Sequence, residues 1–97
     1  MTALLIGADY VEPIKEVLAE AGLETGDHWS GRKPGDLKRS IPRDTSVVVV
    51  MTDYVNHCLV KKIRQDCSKL HIPVVFCRRH VQEVREKIQP FARRKAA

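Results

Sequence analysis

Val47-Val48-Val49-Val50-Met51 is the stretch that decides the fold. Five consecutive apolar residues, four of them β-branched, show no alternation between a wet and a dry face, which is the pattern of a strand buried on both sides in a parallel sheet. Thr52 or Asp53 follows as a cap for a helix that carries Val55, Leu59, Ile63, Cys67 and Leu70 along one stripe. Beyond it, Ile72 to Cys77 reads as a short apolar strand entered through Pro73, and Val81, Val84 and Ile88 mark a last helix ending near Pro90. Upstream, Thr2 to Gly7 is another short apolar run. Val11, Ile14, Val17, Leu18 and Ala21 then recur at helical spacing, with Pro13 near the start and Gly22 at the stop. Residues 23–46 are broken by Gly26, Gly31, Pro34, Gly35 and Pro42, and carry at most a short strand around Leu23–His28 and a helical turn near Asp36–Ser40.

Strands that alternate with helices form parallel pairs, because a parallel pair needs a crossover connection. The expected fold is therefore α/β: a small three-layer Rossmann-like or flavodoxin-like sandwich around a mostly parallel sheet of three to four strands. The 97 residues read as one domain, 1–97, in which 91–97 form a basic tail that frays.

Composition narrows the class further. Apolar residues make up 43% and charged residues 30%, ordinary for a globular chain. The longest apolar run is the five residues Val47–Met51, far short of the ~20 a membrane span needs. No charged region precedes Ala3-Leu4-Leu5-Ile6 and Asp9 follows at once, so no signal peptide and a cytoplasmic location are expected. Cys58, Cys67 and Cys77 are odd in number and lack metal-knuckle spacing, which fits a reducing compartment. The net charge of +5 is unevenly spread: residues 1–60 carry six Lys/Arg against nine Asp/Glu, and residues 61–97 carry eleven against three.

In open parallel sheets, ligands bind beyond the carboxyl ends of the strands. The residues just past those ends are Asp9 and Tyr10; His28 and Trp29; Thr52, Asp53 and Tyr54; and Cys77, Arg78, Arg79 and His80. His57 stands about one helical turn beyond Asp53 and faces the same rim. His71 enters a strand from the opposite edge and reads as a surface residue.

These residues carry a resemblance. Thr52-Asp53-Tyr54-Val55-Asn56-His57, followed by Lys61 or Lys62 and Cys67, then Pro73 and Arg78, resembles a bacterial family catalogued as domain of unknown function 2325. Its members have a His-x-Gly-Gly segment, a Thr-Asp-x-Val-Ser-His segment, a Lys-x-x-Cys on the next helix, and a Pro then an Arg around the last strand. The resemblance covers roughly residues 22–80, and this chain departs from it in two places: Ser30-Gly31 replaces the double glycine, and Asn56 replaces Ser. The resemblance implies Asp53, His57 and His28 as site residues and implies no activity.

The residue types at the rim suit a metal-centred ligand. His57 and His28 are the first choices as ligands, with Cys77 and His80 behind them, and Asp53 is placed to orient His57 by accepting its second ring N–H. Cys67 lies ten residues beyond His57 on one helix, roughly 15 Å along the axis, and reads as a core residue. Haem fits these types: imidazole or thiolate ligands, Trp29 and Tyr54 as flanking rings, and Arg78, Arg79, Arg32 or Lys33 for the propionates. A transition-metal ion such as zinc comes second. A domain of this size cannot enclose haem alone, so the expectation includes a homodimer with the site at its interface. Two alternatives stand beside a non-enzymatic binding module. The basic half fits a nucleic-acid-associated accessory protein. Cys77 with His80, the thiol activated by Arg78 and Arg79, fits a Cys/His-dependent enzyme or redox sensor. A dinucleotide or P-loop turn is excluded, since Gly7-Ala8-Asp9 lacks the repeated glycines and Asp9 repels phosphate.

Overall fold

A computed structural model describes residues 1–31, 34–78 and 80–91. The chain runs β1 (Thr2–Ile6), α1 (Glu12–Glu20), β2 (Glu24–Trp29), a 3-10 turn (Pro34–Lys38), β3 (Thr45–Met51), a second 3-10 turn (Thr52–Tyr54), α2 (His57–Leu70), β4 (Val74–Cys77), α3 (Val81–Ile88) and a last 3-10 turn (Gln89–Phe91). The four strands form one sheet in the order β2-β1-β3-β4, and every pair is parallel. The expected α/β sandwich is thus the observed fold, with the weak strand around Leu23–His28 present as β2. Residues 92–97 of the expected tail lie outside the described residues.

The apolar run of β3 is divided between two cores, as a doubly covered strand requires. Val47, Val49 and Met51 pack with Ile14, Val17 and Leu18 of α1 and with Val84 and Ile88 of α3. Val48 and Val50 pack with Leu59, Ile63 and Cys67 of α2 and with Ile41. All five residues of the run are at most 1% exposed.

Helix ends follow local chemistry. Gly22, at φ 81°, terminates α1, with Leu23 N–H donating to Leu18 O at 2.8 Å and Gly22 N–H to Ala19 O at 3.0 Å. This is the paired arrangement that satisfies a helix's last carbonyls. His71 performs the same turn at the end of α2 with φ 56°, its successor Ile72 donating to Cys67 O at 3.0 Å. His71 is exposed at the amino edge of the sheet, as expected. On the outer edge of β4, Lys87 Nζ donates to Phe76 O at 2.8 Å, covering a carbonyl that would otherwise invite another strand.

One expectation is corrected. Neither Thr52 nor Asp53 caps α2. Both belong to the 3-10 turn, and the cap is Asn56, whose Oδ1 accepts from Cys58 N–H at 2.7 Å. The cause is tertiary: Val55 and Asn56 are extended between the turn and the helix, and Asn56 N–H donates to Gly31 O at 3.3 Å.

Candidate functional site

The strand order puts the topological switch point of the sheet at one place on the carboxyl edge. The helix after β1 packs on one face of the sheet and the helix after β3 on the other, and β1 and β3 are neighbours. The two connections therefore diverge between the ends of β1 and β3, the position where open α/β sheets take ligands.

Gly7 stands at the floor of that divergence with φ 107°. A Cβ there would lie 2.8 Å from Met51 O and 3.2 Å from Val55 Cγ1, so the two strand ends meet too closely for any side chain. Ala8 follows at φ 62° and is 3% exposed. A buried alanine in the left-handed region costs ~1–2 kcal/mol, and such strain survives only where surrounding contacts impose it. Those contacts come from β2. Gly7 N–H donates to Trp29 O at 2.8 Å, and the His28 ring approaches Gly7 O at 3.1 Å and Ala8 O at 2.8 Å through Nε2. A carbonyl can only accept, so Nε2 is the donor to both, and in the neutral ring Nδ1 is the nitrogen with the lone pair. On the other side of β3, Thr52 Oγ1 donates to Cys77 O at 3.4 Å and joins the ends of β3 and β4. With the bond between Asn56 and Gly31, all four strand ends are tied into one rim.

The family described as "Uncharacterized protein conserved in bacteria (DUF2325)" matches residues 2–90. The chain belongs to this family. No curated protein and no solved structure matches it. The two departures from the DUF2325 pattern are conservative in physical terms. Gly31, the second glycine position, is retained and adopts φ 80°, whereas Ser30 is not among the residues at positive φ. Asn56 takes the place of Ser as N-cap, and the two residue types cap equally well.

His57 is the first residue of α2, exposed, and its ring makes no hydrogen bond or ion pair among the described residues. Asp53 is exposed on the preceding turn, and no hydrogen bond joins it to His57 among those residues. The sequence-based pairing of the two is therefore not formed within one chain. Trp29 belongs to the interior. It is 2% exposed and packed with Leu4, Ile6 and Val48, its Nε1 donates to Asp27 Oδ2 at 3.1 Å, and Arg39 lies 5.6 Å from its ring centre. Its ring stiffens the end of β2 and does not wall the rim.

Arg78 is exposed, with its backbone N–H bonded to Glu83 Oε2. His80 is exposed at the start of α3. Cys77 is 3% exposed, and burial first, then the nearby Glu83, push its thiol up to about 11 despite an opposing effect of Lys87. A thiol in that state is protonated at neutral pH, the opposite of the arginine-activated nucleophile that the sequence suggested. Cys67 is in the core as expected, and burial followed by Asp66 pushes it up to about 11. Arg32, Lys33, Arg79 and the side chain of Tyr54 lie outside the described residues.

Sequence reasoning missed two features of the rim. Val81, at the start of α3, is 36% exposed, and with Tyr10, which the sequence placed past the end of β1 and which is 62% exposed, it leaves apolar surface open after the strand ends. Cys58, next to His57, is the exposed cysteine of the three. Its place on the first turn of α2 is evident only once Asn56 is known to be the cap. Among the described residues, no group of three His, Cys, Asp or Glu side chains is arranged to hold a metal ion.

Proposed function

We propose that this chain is a non-enzymatic binding module that holds a metal-centred ligand on the carboxyl rim, haem before a bare transition-metal ion such as zinc, at the interface of a homodimer. The observation that carries the reading is the solvent-facing imidazole of His57 at the start of α2, which has no hydrogen bond or ion pair among the described residues, on the rim where the connections after β1 and β3 diverge. An imidazole on a partly apolar, partly cationic rim suits an axial ligand of haem, with Tyr10 and Val81 as open apolar surface and Arg78 for an anionic substituent. One open imidazole gives one ligand. A two-fold axis beside α2 supplies the second and also covers the exposed apolar residues.

The residues take distinct roles in this reading. His57 ligates. His28 holds the Gly7–Ala8 turn through Nε2, and Nδ1 is its ligand atom if it contributes one. Asp9 and Asp53, both exposed on the rim, favour a cation over a multiply charged anion, which keeps the bare ion as the second version. Nucleic-acid binding has less support because several basic residues are engaged within the fold. Lys62 pairs with Asp66 at 2.7 Å, Arg85 with Glu20 at 3.3 Å, Arg64 lies over the Phe76 ring at 4.7 Å, and Lys87 binds Phe76 O.

The test is a hemin titration of the purified chain, followed in the visible spectrum and by light scattering after gel filtration. A saturating Soret shift at about one hemin per dimer, lost in His57→Ala, is expected. No shift, or an equal one in His57→Ala, overturns the haem version. Zinc retained after dialysis by wild type but not by His57→Ala would support the bare ion in its place.

A further inference from the structure

At the opposite edge, where the strands begin, lies a groove of about 760 Å³ between the start of β3, the loop before it and the last turn of α2. Its volume is within the ~300–1,000 Å³ typical of small-molecule sites. Ile41, Leu70 and Ile72 give it an aliphatic lining, and Arg43, Lys69 and Asp66 give it charge. Leu70 stands three residues beyond Cys67 and seven beyond Ile63, on the stripe those core residues define, yet it is 51% exposed. The groove, not a strand, faces it.

The charges are unequal in availability. Asp66 is engaged at 2.7 Å by Lys62 Nζ, which also donates to Arg39 O at 2.7 Å. Arg43 and Lys69 are exposed and make no ion pair or hydrogen bond among the described residues. Two exposed cations in the same lining as aliphatic side chains select a ligand that is anionic at one end and aliphatic along the rest. A small inorganic anion leaves the apolar lining unused, and an aromatic ligand meets no ring among the lining residues.

We propose that this groove binds an aliphatic monocarboxylate of medium chain length, its tail against Ile41, Leu70 and Ile72 and its carboxylate between Arg43 and Lys69. The site is separate from the carboxyl rim and does not rest on the reading given there.

The experiment is a titration of the isotopically labelled chain with decanoate, kept below its micellar range and followed by amide NMR. Saturable shifts confined to residues 41–45 and 66–72 are expected, with binding at least about tenfold weaker in Arg43→Glu/Lys69→Glu, since charge-assisted contacts are lost and reversed. Leu70→Ala is a second variant at an exposed position and weakens binding roughly threefold or more by removing apolar contact. Four results overturn the proposal: no saturable shift, unchanged affinity in the charge-reversed variant, equal binding of decyltrimethylammonium, or a footprint on the carboxyl rim. A footprint from an acidic leucine-containing peptide with none from decanoate reassigns the groove to a protein segment. Groove shifts that depend on protein concentration without ligand reassign it to a second copy of the chain.

Discussion

The two edges of the sheet are built on opposite plans. The carboxyl edge brings together side chains capable of chemistry and leaves them open: His57, Asp53, Arg78 and His80 are exposed, while the backbone beneath them is drawn tight by Gly7, Ala8 and His28. The amino edge has an open groove lined by aliphatic side chains and by two cations with no ion pair among the described residues, and its one histidine, His71, serves to turn the chain at the end of α2. The contrast follows from parallel topology. Every strand in such a sheet ends on the same edge and must there turn into a helix, so turns, strain and helix starts accumulate together. At the edge where strands begin, helices end, and a helix that runs on beyond its strand leaves its apolar stripe uncovered. Backbone strain and ligand-capable side chains therefore mark one edge, and open aliphatic volume marks the other.

The largest test of this contrast compares two apolar residues that sequence periodicity and position put in the wrong places. Trp29, expected on the rim, is 2% exposed; Leu70, expected in the core, is 51% exposed. Trp29→Ala is expected to cost about 3–5 kcal/mol in urea unfolding, and Leu70→Ala within about 0.5 kcal/mol of zero. Comparable losses at both positions would erase the distinction between a packed rim and an open groove.

Next in size is a comparison of glycines. At the carboxyl edge, Gly7 combines φ 107° with a backbone oxygen 2.8 Å from its absent Cβ, so Gly7→Val is expected to destabilise by about 2–4 kcal/mol. At the amino edge, the close neighbour of a Cβ at Gly26 is the Thr2 side chain, whose Cγ2 would be 2.4 Å away, while the nearest backbone atom, Ala3 O, is at an ordinary 3.8 Å. Rotation of that half-buried residue relieves the contact, so Gly26→Ala is expected to cost about 1 kcal/mol or less. Equal losses in thermal or urea unfolding would show that the tightness at Gly7 is not special to the edge it closes.

How much of this was legible beforehand depended on whether the signal was local. The β3 run Val47–Met51 states its double burial in its own composition, and from it the parallel sheet and the location of the rim follow. β2 was weak because Glu24-Thr25-Gly26-Asp27 is an edge strand with mostly exposed side chains, so apolar alternation is nearly absent. The start of α2 was misplaced because three cap-competent residues, Thr52, Asp53 and Asn56, lie within five positions, and the choice is made by a bond to Gly31 that sequence alone does not reveal. Leu70 continued the helical stripe correctly, but periodicity reports which side of a helix a residue is on, not whether anything covers it. The role of His28 was out of reach for the same reason. Its partners Gly7 and Ala8 are 21 and 20 residues away, and nothing in Gly7-Ala8-Asp9 signals that the alanine adopts φ 62°.

The smallest expected effect tests the piece of the rim that presents His57. Asn56 caps α2 through Oδ1 and also supplies the backbone N–H that binds Gly31 O. Only the first of these depends on the side chain. Asn56→Ala should therefore cost about 1 kcal/mol, with amide exchange quickened at 57–59 and the Gly31 contact kept. Asn56→Ser, which restores the residue of the family pattern, should lie within a few tenths of a kcal/mol of wild type, since a serine hydroxyl accepts the same bond. If Ser destabilised as much as Ala, position 56 would owe its residue to a carboxamide contact outside the cap. The first turn of α2 would then have to be redrawn before His57 could be assigned as a ligand.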